Sequence, residues 1–225
     1  MINVDTTAKA VAKQLERIPA RQLPFAMALI PTRMAQVVQR AFVSVMGARF
    51  DRPTRYTMNS IFIAAATKRK PVARVGVKTK GPGVAPNTYL QAEVLGGKRS
   101  AKGLEKAMQA LGLISTGQFL VPAQGTKLDT SGNMRRSQIR QILAAFRSKD
   151  SKRYFFGKVD GESGIWERVK SAFGDGLRPV MIVTEGAPAY RVRFPFYDVA
   201  ENTVKANHER VATKAIDEAL RTARP

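Results

Sequence analysis

Cysteine is absent from the chain and histidine occurs once. The first absence removes disulfides, thiolate metal sites and cysteine nucleophiles together. The second leaves His208 as the sole imidazole. It lies in the polar run Lys205 to Arg210, where a solvated side chain is expected, and a serine-hydrolase arrangement is left without a convincing base. Carboxylates are scarce as well, with 17 Asp and Glu against 38 Lys and Arg. Those present are scattered. Asp198 and Glu201 read as partners of a helix dipole, and Asp160 and Glu162 as residues that favour a Gly-rich turn. A metal nuclease needs several converging acidic ligands, so the expectation is no enzyme, no catalytic residue, no metal and no cofactor. Gly76 to Gly81 faintly suggests a phosphate loop, but Pro82 stands where the Lys and Ser or Thr belong. No apolar run approaches the roughly 18 to 20 residues of a membrane span. Met1 to Lys13 lacks the apolar core of a signal peptide, so assembly in the cytoplasm is expected.

What the chain does have is positive charge, a formal net of +21 with pI near 10.9. A surplus of this size calls for a polyanionic neighbour or an acidic protein partner. Its distribution is uneven: Met1 to Gly103 holds 18 basic residues and four acidic ones (Asp5, Glu16, Asp51, Glu93), whereas the remainder holds 20 against 13. The 225 residues and 44% apolar content suit one globular domain spanning 1–225.

Periodicity places a short helix at Asp5 to Ile18, ended by Pro19, and a longer one at Gln22 to Met46 with an apolar stripe through Phe25, Leu29, Met34, Val38, Phe42 and Met46. Pro31 interrupts the second, which predicts a kink there or a helix that starts at Thr32. Ile61 to Ile63 and Val72 to Val77 flank the turn Thr67 to Pro71 as a hairpin. Lys78 to Arg99, rich in Gly and Pro, reads as a long loop or arm, so that a basic hairpin and arm fill about 61–99. Short helices are expected at Leu104 to Leu111 and Met134 to Phe146. Strands follow at Arg153 to Val159, Ile165 to Val169 and Pro179 to Thr184, separated by Gly161, Gly164, Gly174 and Gly176. A long helix, Phe196 to Arg221, starts after Pro195. The class is α+β: an antiparallel sheet flanked by long N-terminal and C-terminal helices.

The candidate contact for a polyanion or acidic partner is Lys68, Arg69 and Lys70 with Arg74, Lys78, Lys80, Lys98 and Arg99. A charge run is most often a solvated face, but nothing acidic lies between Arg52 and Ala92 to offset this one. Aromatics are not interleaved with the cations, so any nucleic-acid contact is expected at phosphates, without sequence preference. Arg135, Arg136 and Arg140 on the Met134 helix, with Arg191, Arg193 and Tyr197 beside Phe194 and Phe196, are candidates for contact between subunits; the aromatics of that last segment read first as core.

Gln22-Leu-Pro-Phe-Ala-Met-Ala-Leu followed by Met34-Ala-Gln-Val-Val-Gln-Arg-Ala-Phe resembles the opening helix of phage tail-completion and minor tail proteins of the lambda Z type. Gly132-Asn-Met-Arg-Arg-Ser-Gln-Ile-Arg-Gln-Ile-Leu, Arg153-Tyr-Phe-Phe-Gly-Lys, Gly164-Ile-Trp-Glu-Arg and Arg193-Phe-Pro-Phe-Tyr-Asp-Val-Ala resemble segments of proteins of the same description. Pro31 departs from the Asn-rich helical turn expected there, and the arm from Lys78 to Arg99 has no counterpart. The resemblance implies a virion structural protein of a tailed bacteriophage, part of the neck or tail-completion ring in head-tail joining. Its implied partners are head-tail connector or portal-associated proteins and tail tube or tail terminator proteins. It implies a homo-oligomeric ring, six- or twelvefold, assembled in the host cytoplasm, with non-specific contact to phage DNA and none to membrane. The alternative is a sequence-independent DNA-binding accessory protein of packaging.

Overall fold

A computed structural model describes residues 16, 18–148, 152–171 and 174–222. The expected helix at Asp5 to Ile18 lies outside these residues, apart from Glu16 and Ile18. In chain order the elements are α1 (Leu23–Arg49), α2 (Arg55–Met58), β1 (Ile61–Ala64), β2 (Arg74–Val77), α3 (Pro86–Leu95), β3 (Gly97–Lys98), α4 (Gly103–Ala110), β4 (Gln118–Pro122), α5 (Arg136–Arg147), β5 (Tyr154–Val159), β6 (Glu162–Ser171), β7 (Gly174–Glu185), β8 (Ala189–Tyr190) and α6 (Phe196–Arg221). The fold is α+β, with antiparallel sheets and long helices near both ends of the chain. Where the sequence reads as one domain, the long-range contacts gather into two compact units, Met1–Leu95 with Val192–Pro225, and Gly96–Arg191.

The first unit is built on α1 and α6, which pack along one another. Small residues meet there: α1 buries Ala26, Ala28 and Ala35 beside Val38, Phe42 and Met46, and α6 buries Val211, Ala212, Ala215, Ile216 and Ala219. Alanine lets helix backbones approach closely, and an aromatic cluster fills the core farther along α1. Phe42 stacks on Phe196 at 4.2 Å between ring centroids, and Phe194, wholly buried, meets Phe42 edge-on at 5.5 Å. The reading of Phe194 and Phe196 as core therefore holds, although 191–195 is irregular backbone and not the end of a strand. The hairpin pairs Ile61 with Val77 and Ala64 with Arg74, and Ile61, Val75 and Val77 close over the same aromatic cluster.

Pro31 sits inside a continuous α1, so the helix does not begin at Thr32. Proline withholds one backbone donor. The next residue, Thr32, donates its hydroxyl to the Ala28 carbonyl at 2.8 Å and accepts the Ala66 N–H at 3.0 Å. The hairpin is thereby tied to the turn that the proline weakens.

The expected long loop from Lys78 to Arg99 is corrected: it contains α3 and β3. Pro86 opens α3, where its missing N–H costs nothing, and Leu90 and Glu93 are buried beneath it. Only the stretch before Pro86 is a loop, and it is pinned. The Tyr56 hydroxyl donates to the Val84 carbonyl at 3.2 Å. A Cβ on Gly81 would stand 2.1 Å from the Tyr56 hydroxyl oxygen, so a side chain there would displace the tyrosine from this contact.

The second unit is a four-stranded antiparallel sheet in the order β4-β7-β6-β5, with α4 and α5 supplying its core partners. Leu104 and Met108 of α4, Ile142 of α5 and Leu120, Tyr154, Ile165, Val180 and Met181 of the sheet form one buried cluster. β5 and β6 join through Asp160 and Gly161, with φ of 50° and 86°, the pair of positive φ values that a two-residue type I′ hairpin needs. Gly164 and Gly176 are not separators: both lie within strands. β6 and β7 continue past their neighbours, so that Arg168 to Ser171 opposite Gly174 to Leu177 form a two-stranded ribbon. Strand β4, a five-residue run between Gly117 and Ala123, has no counterpart among the expected strands.

Candidate functional site

The hairpin between β1 and β2 ends in a tight turn. Thr67 N–H donates to the Lys70 carbonyl at 2.9 Å, and Lys70 N–H donates to the Thr67 carbonyl at 3.0 Å and to its hydroxyl at 3.0 Å. This reciprocal pair leaves Lys68 and Arg69 at the apex. Lys68, Arg69, Lys70, Arg74, Lys78 and Lys80 are all exposed, and none has an ion-pair partner among the described residues. The root of the loop is held by Lys78 N–H donating to the Ser60 carbonyl at 2.8 Å and Asn87 N–H donating to the Lys78 carbonyl at 3.2 Å. Six cations thus stand on a frame whose backbone is hydrogen-bonded at both tip and base, and their attraction for an anion is not spent on a neighbouring carboxylate.

The remaining candidates divide. Lys98 is exposed on β3 in the second unit. Arg99 is occupied: its guanidinium donates to Glu105 at 2.7 and 2.5 Å and lies over the Phe119 ring. Arg193 is likewise committed, donating to both oxygens of Glu93 at 2.7 and 2.6 Å and lying over Phe50. Arg135, Arg136, Arg140 and Arg191 are exposed, as is Tyr197 at 71%.

The buried acids were not foreseen. Glu93, Glu105 and Glu167 are each buried against arginine. Burial alone would raise the Glu105 carboxyl, but Arg99 and the N–H groups of Leu120 and Lys102 outweigh it and hold the group below its ordinary value. At Glu167 burial is likewise overcome, by Arg178 across the sheet and by Arg153. Glu105 accepts four hydrogen bonds, two on each oxygen, so Arg99 and the backbone occupy the whole carboxylate. Sequence separation hid these pairs, Glu93 and Arg193 being 100 residues apart. The one local signal was Glu105 at the third position of α4, where an acid reaches back to the N-cap N–H.

His208 departs from the solvated side chain expected. It is half-buried, and Nδ1 lies 2.9 Å from the Lys205 carbonyl. A carbonyl only accepts, so Nδ1 is the donor in this contact; Nε2 is buried without a hydrogen-bond partner among the described residues. Among the described residues no carboxylate orients this ring. An open groove of about 310 Å³ in the first unit is lined by Met34, Val38, Phe42, Val75, Phe196 and Val204 among others, all apolar and without a titratable group. Among the described residues no group of His, Cys, Asp and Glu is placed to hold a metal ion, and no helix is long and apolar enough to cross a membrane. Comparison with known proteins found no matching family model, no matching curated protein and no matching solved structure.

Proposed function

We propose that this chain is a structural protein of a tailed bacteriophage, part of the neck or tail-completion ring that joins tail to head connector, and that it works by adhesion and not by catalysis. The observation that carries the reading is the hairpin: six exposed cations, without ion-pair partners among the described residues, on a hydrogen-bonded frame. Opposite it we place an acidic face of a connector or tube subunit. The attraction gives register and rate of docking more than raw affinity. The buried acids support the same reading, because each is paired with arginine inside the fold.

The ring follows from the resemblance. A cyclic assembly must present two different, complementary faces, and we place one of them at the hairpin. The rival reading, a sequence-independent DNA-binding accessory protein, draws on a different observation, the arginines of α5. Particles assembled without this chain test the proposal. Electron micrographs are expected to show filled heads and free tails; particles that lack the chain yet carry firmly attached tails would overturn it.

A further inference from the structure

From the exposed arginines of α5 we infer a second binding surface, one for the phosphate backbone of duplex DNA. It belongs to the second unit and does not rest on the hairpin reading.

Helix α5 is amphipathic in an uncommon way. Its inner face carries Ile139, Ile142, Leu143 and Phe146, all packed into the core of the sheet. Along one border of that face run Arg136, Arg140 and Arg147. At 100° per residue these three fall within about 40° of one another, and they span about 16 Å along the axis. All three are exposed, and none has an ion-pair partner among the described residues. Arg135, the N-cap residue, is also exposed. The helix contains no acidic residue, so its own surface cancels none of this charge. On an exposed helix face, cations are ordinarily interleaved with Glu for solubility and i,i+4 support; here that interleaving is absent.

The exposed residues beside the arginines decide the class of partner. Ser137, Gln141, Ala144 and Ser148 are exposed on one side of the row, while Leu143, at its other edge, is partly buried and packed against the core. None of the exposed four is aromatic or large and apolar. A protein interface draws its affinity from a desolvated core of aromatic and apolar anchors, and this face has none. A phosphate backbone asks only for cations and small hydrogen-bonding side chains, which this face supplies. The same lack of aromatics removes the stacking platform that single strands require, leaving the double helix. A single α-helix fits the mouth of the B-form major groove, about 12 Å wide, with long side chains reaching the flanking phosphates. The deep, narrow major groove of duplex RNA does not admit it.

The test is fluorescence anisotropy of the full chain with a random-sequence 30-base-pair DNA duplex, titrated across salt concentrations. Each phosphate that is no longer neutralised reduces the slope of log K against log salt by about 0.9. The triple variant Arg136→Ala, Arg140→Ala, Arg147→Ala is expected to flatten the slope by up to about 2.7, with an unchanged melting curve. The triple Lys variant is expected to keep the wild-type slope, because the contact is charge to phosphate. Should the Ala triple not fold, the same substitutions to Gln provide the measurement. A wild-type slope in the folded neutral variant overturns the inference. So does a duplex RNA that binds more tightly than the DNA. Neither result touches head-tail joining through the hairpin, which is read from assembled particles.

Discussion

Glu105 receives two hydrogen bonds from Arg99, one from Lys102 N–H and one from Leu120 N–H. That single side chain ties the start of α4 to β4 and to the segment after β3. Replacing Glu105 with Gln leaves the Arg99 guanidinium, only 9% exposed, without a counter-charge. A loss of about 3–5 kcal/mol is expected for breaking a buried pair at one partner, measured by urea denaturation. The pH dependence follows in sign. Glu105 and Glu167 are both held below their ordinary value of 4.5 in the folded chain. A depressed folded value stabilises the fold above the unfolded value, and that stability is lost as pH falls through the folded one. Stability of the wild-type chain should therefore be flat above about pH 5 and fall progressively below about 4.5, with a shallower fall in Glu105→Gln. An acid titration followed by circular dichroism reads both curves. Gly164 gives a second test at this scale: a Cβ there would lie 2.2 Å from the Met181 carbonyl oxygen, which is backbone and cannot step aside. Gly164→Ala should cost about 1–3 kcal/mol as overpacking, visible as a lowered melting temperature.

Among the elements, α1 and α6 were legible because their apolar residues recur at helical spacing over many turns and Pro195 marks where α6 begins. The β1–β2 hairpin and the β5–β6–β7 meander were legible from alternation and turn residues. The most buried face of α1 was only half visible, since Ala26 and Ala35 are small and do not announce themselves as core. Helix α3 was hidden by the Gly and Pro residues around it, and its burial depends on Glu93 meeting Arg193, a pairing that no local pattern contains. The basic residues of the candidate site could be read directly, but not which of them face a carboxylate: Lys68 and Arg99 look alike in sequence, and only the fold puts Glu105 beside the second. The packing of α1 on α6 carries its own prediction. Phe42 is wholly buried between Phe194 and Phe196, so Phe42→Ala should destabilise the first unit by about 3–5 kcal/mol. Removing the Arg33 to Glu218 pair, whose side chains are 44% and 32% exposed, should cost no more than about 1 kcal/mol. Chemical denaturation of the two variants side by side tests that order.

At the scale of the whole molecule, the charge balance is the organising fact. The chain carries +21, and its most buried carboxylates are used internally by arginine partners. The surplus is left on surfaces, in the hairpin of one unit and on α5 of the other. A protein built this way holds its shape with few acids and displays the unmatched cations outward, which suits docking onto something negative. The most direct test is to replace Lys68, Arg69 and Lys70 together with Ala in phage that encode the chain, and to count joined particles by electron microscopy. The account predicts heads and tails that form normally but remain mostly separate, with the variant chain melting as the wild type does. A joined fraction and infectious yield equal to wild type would contradict it.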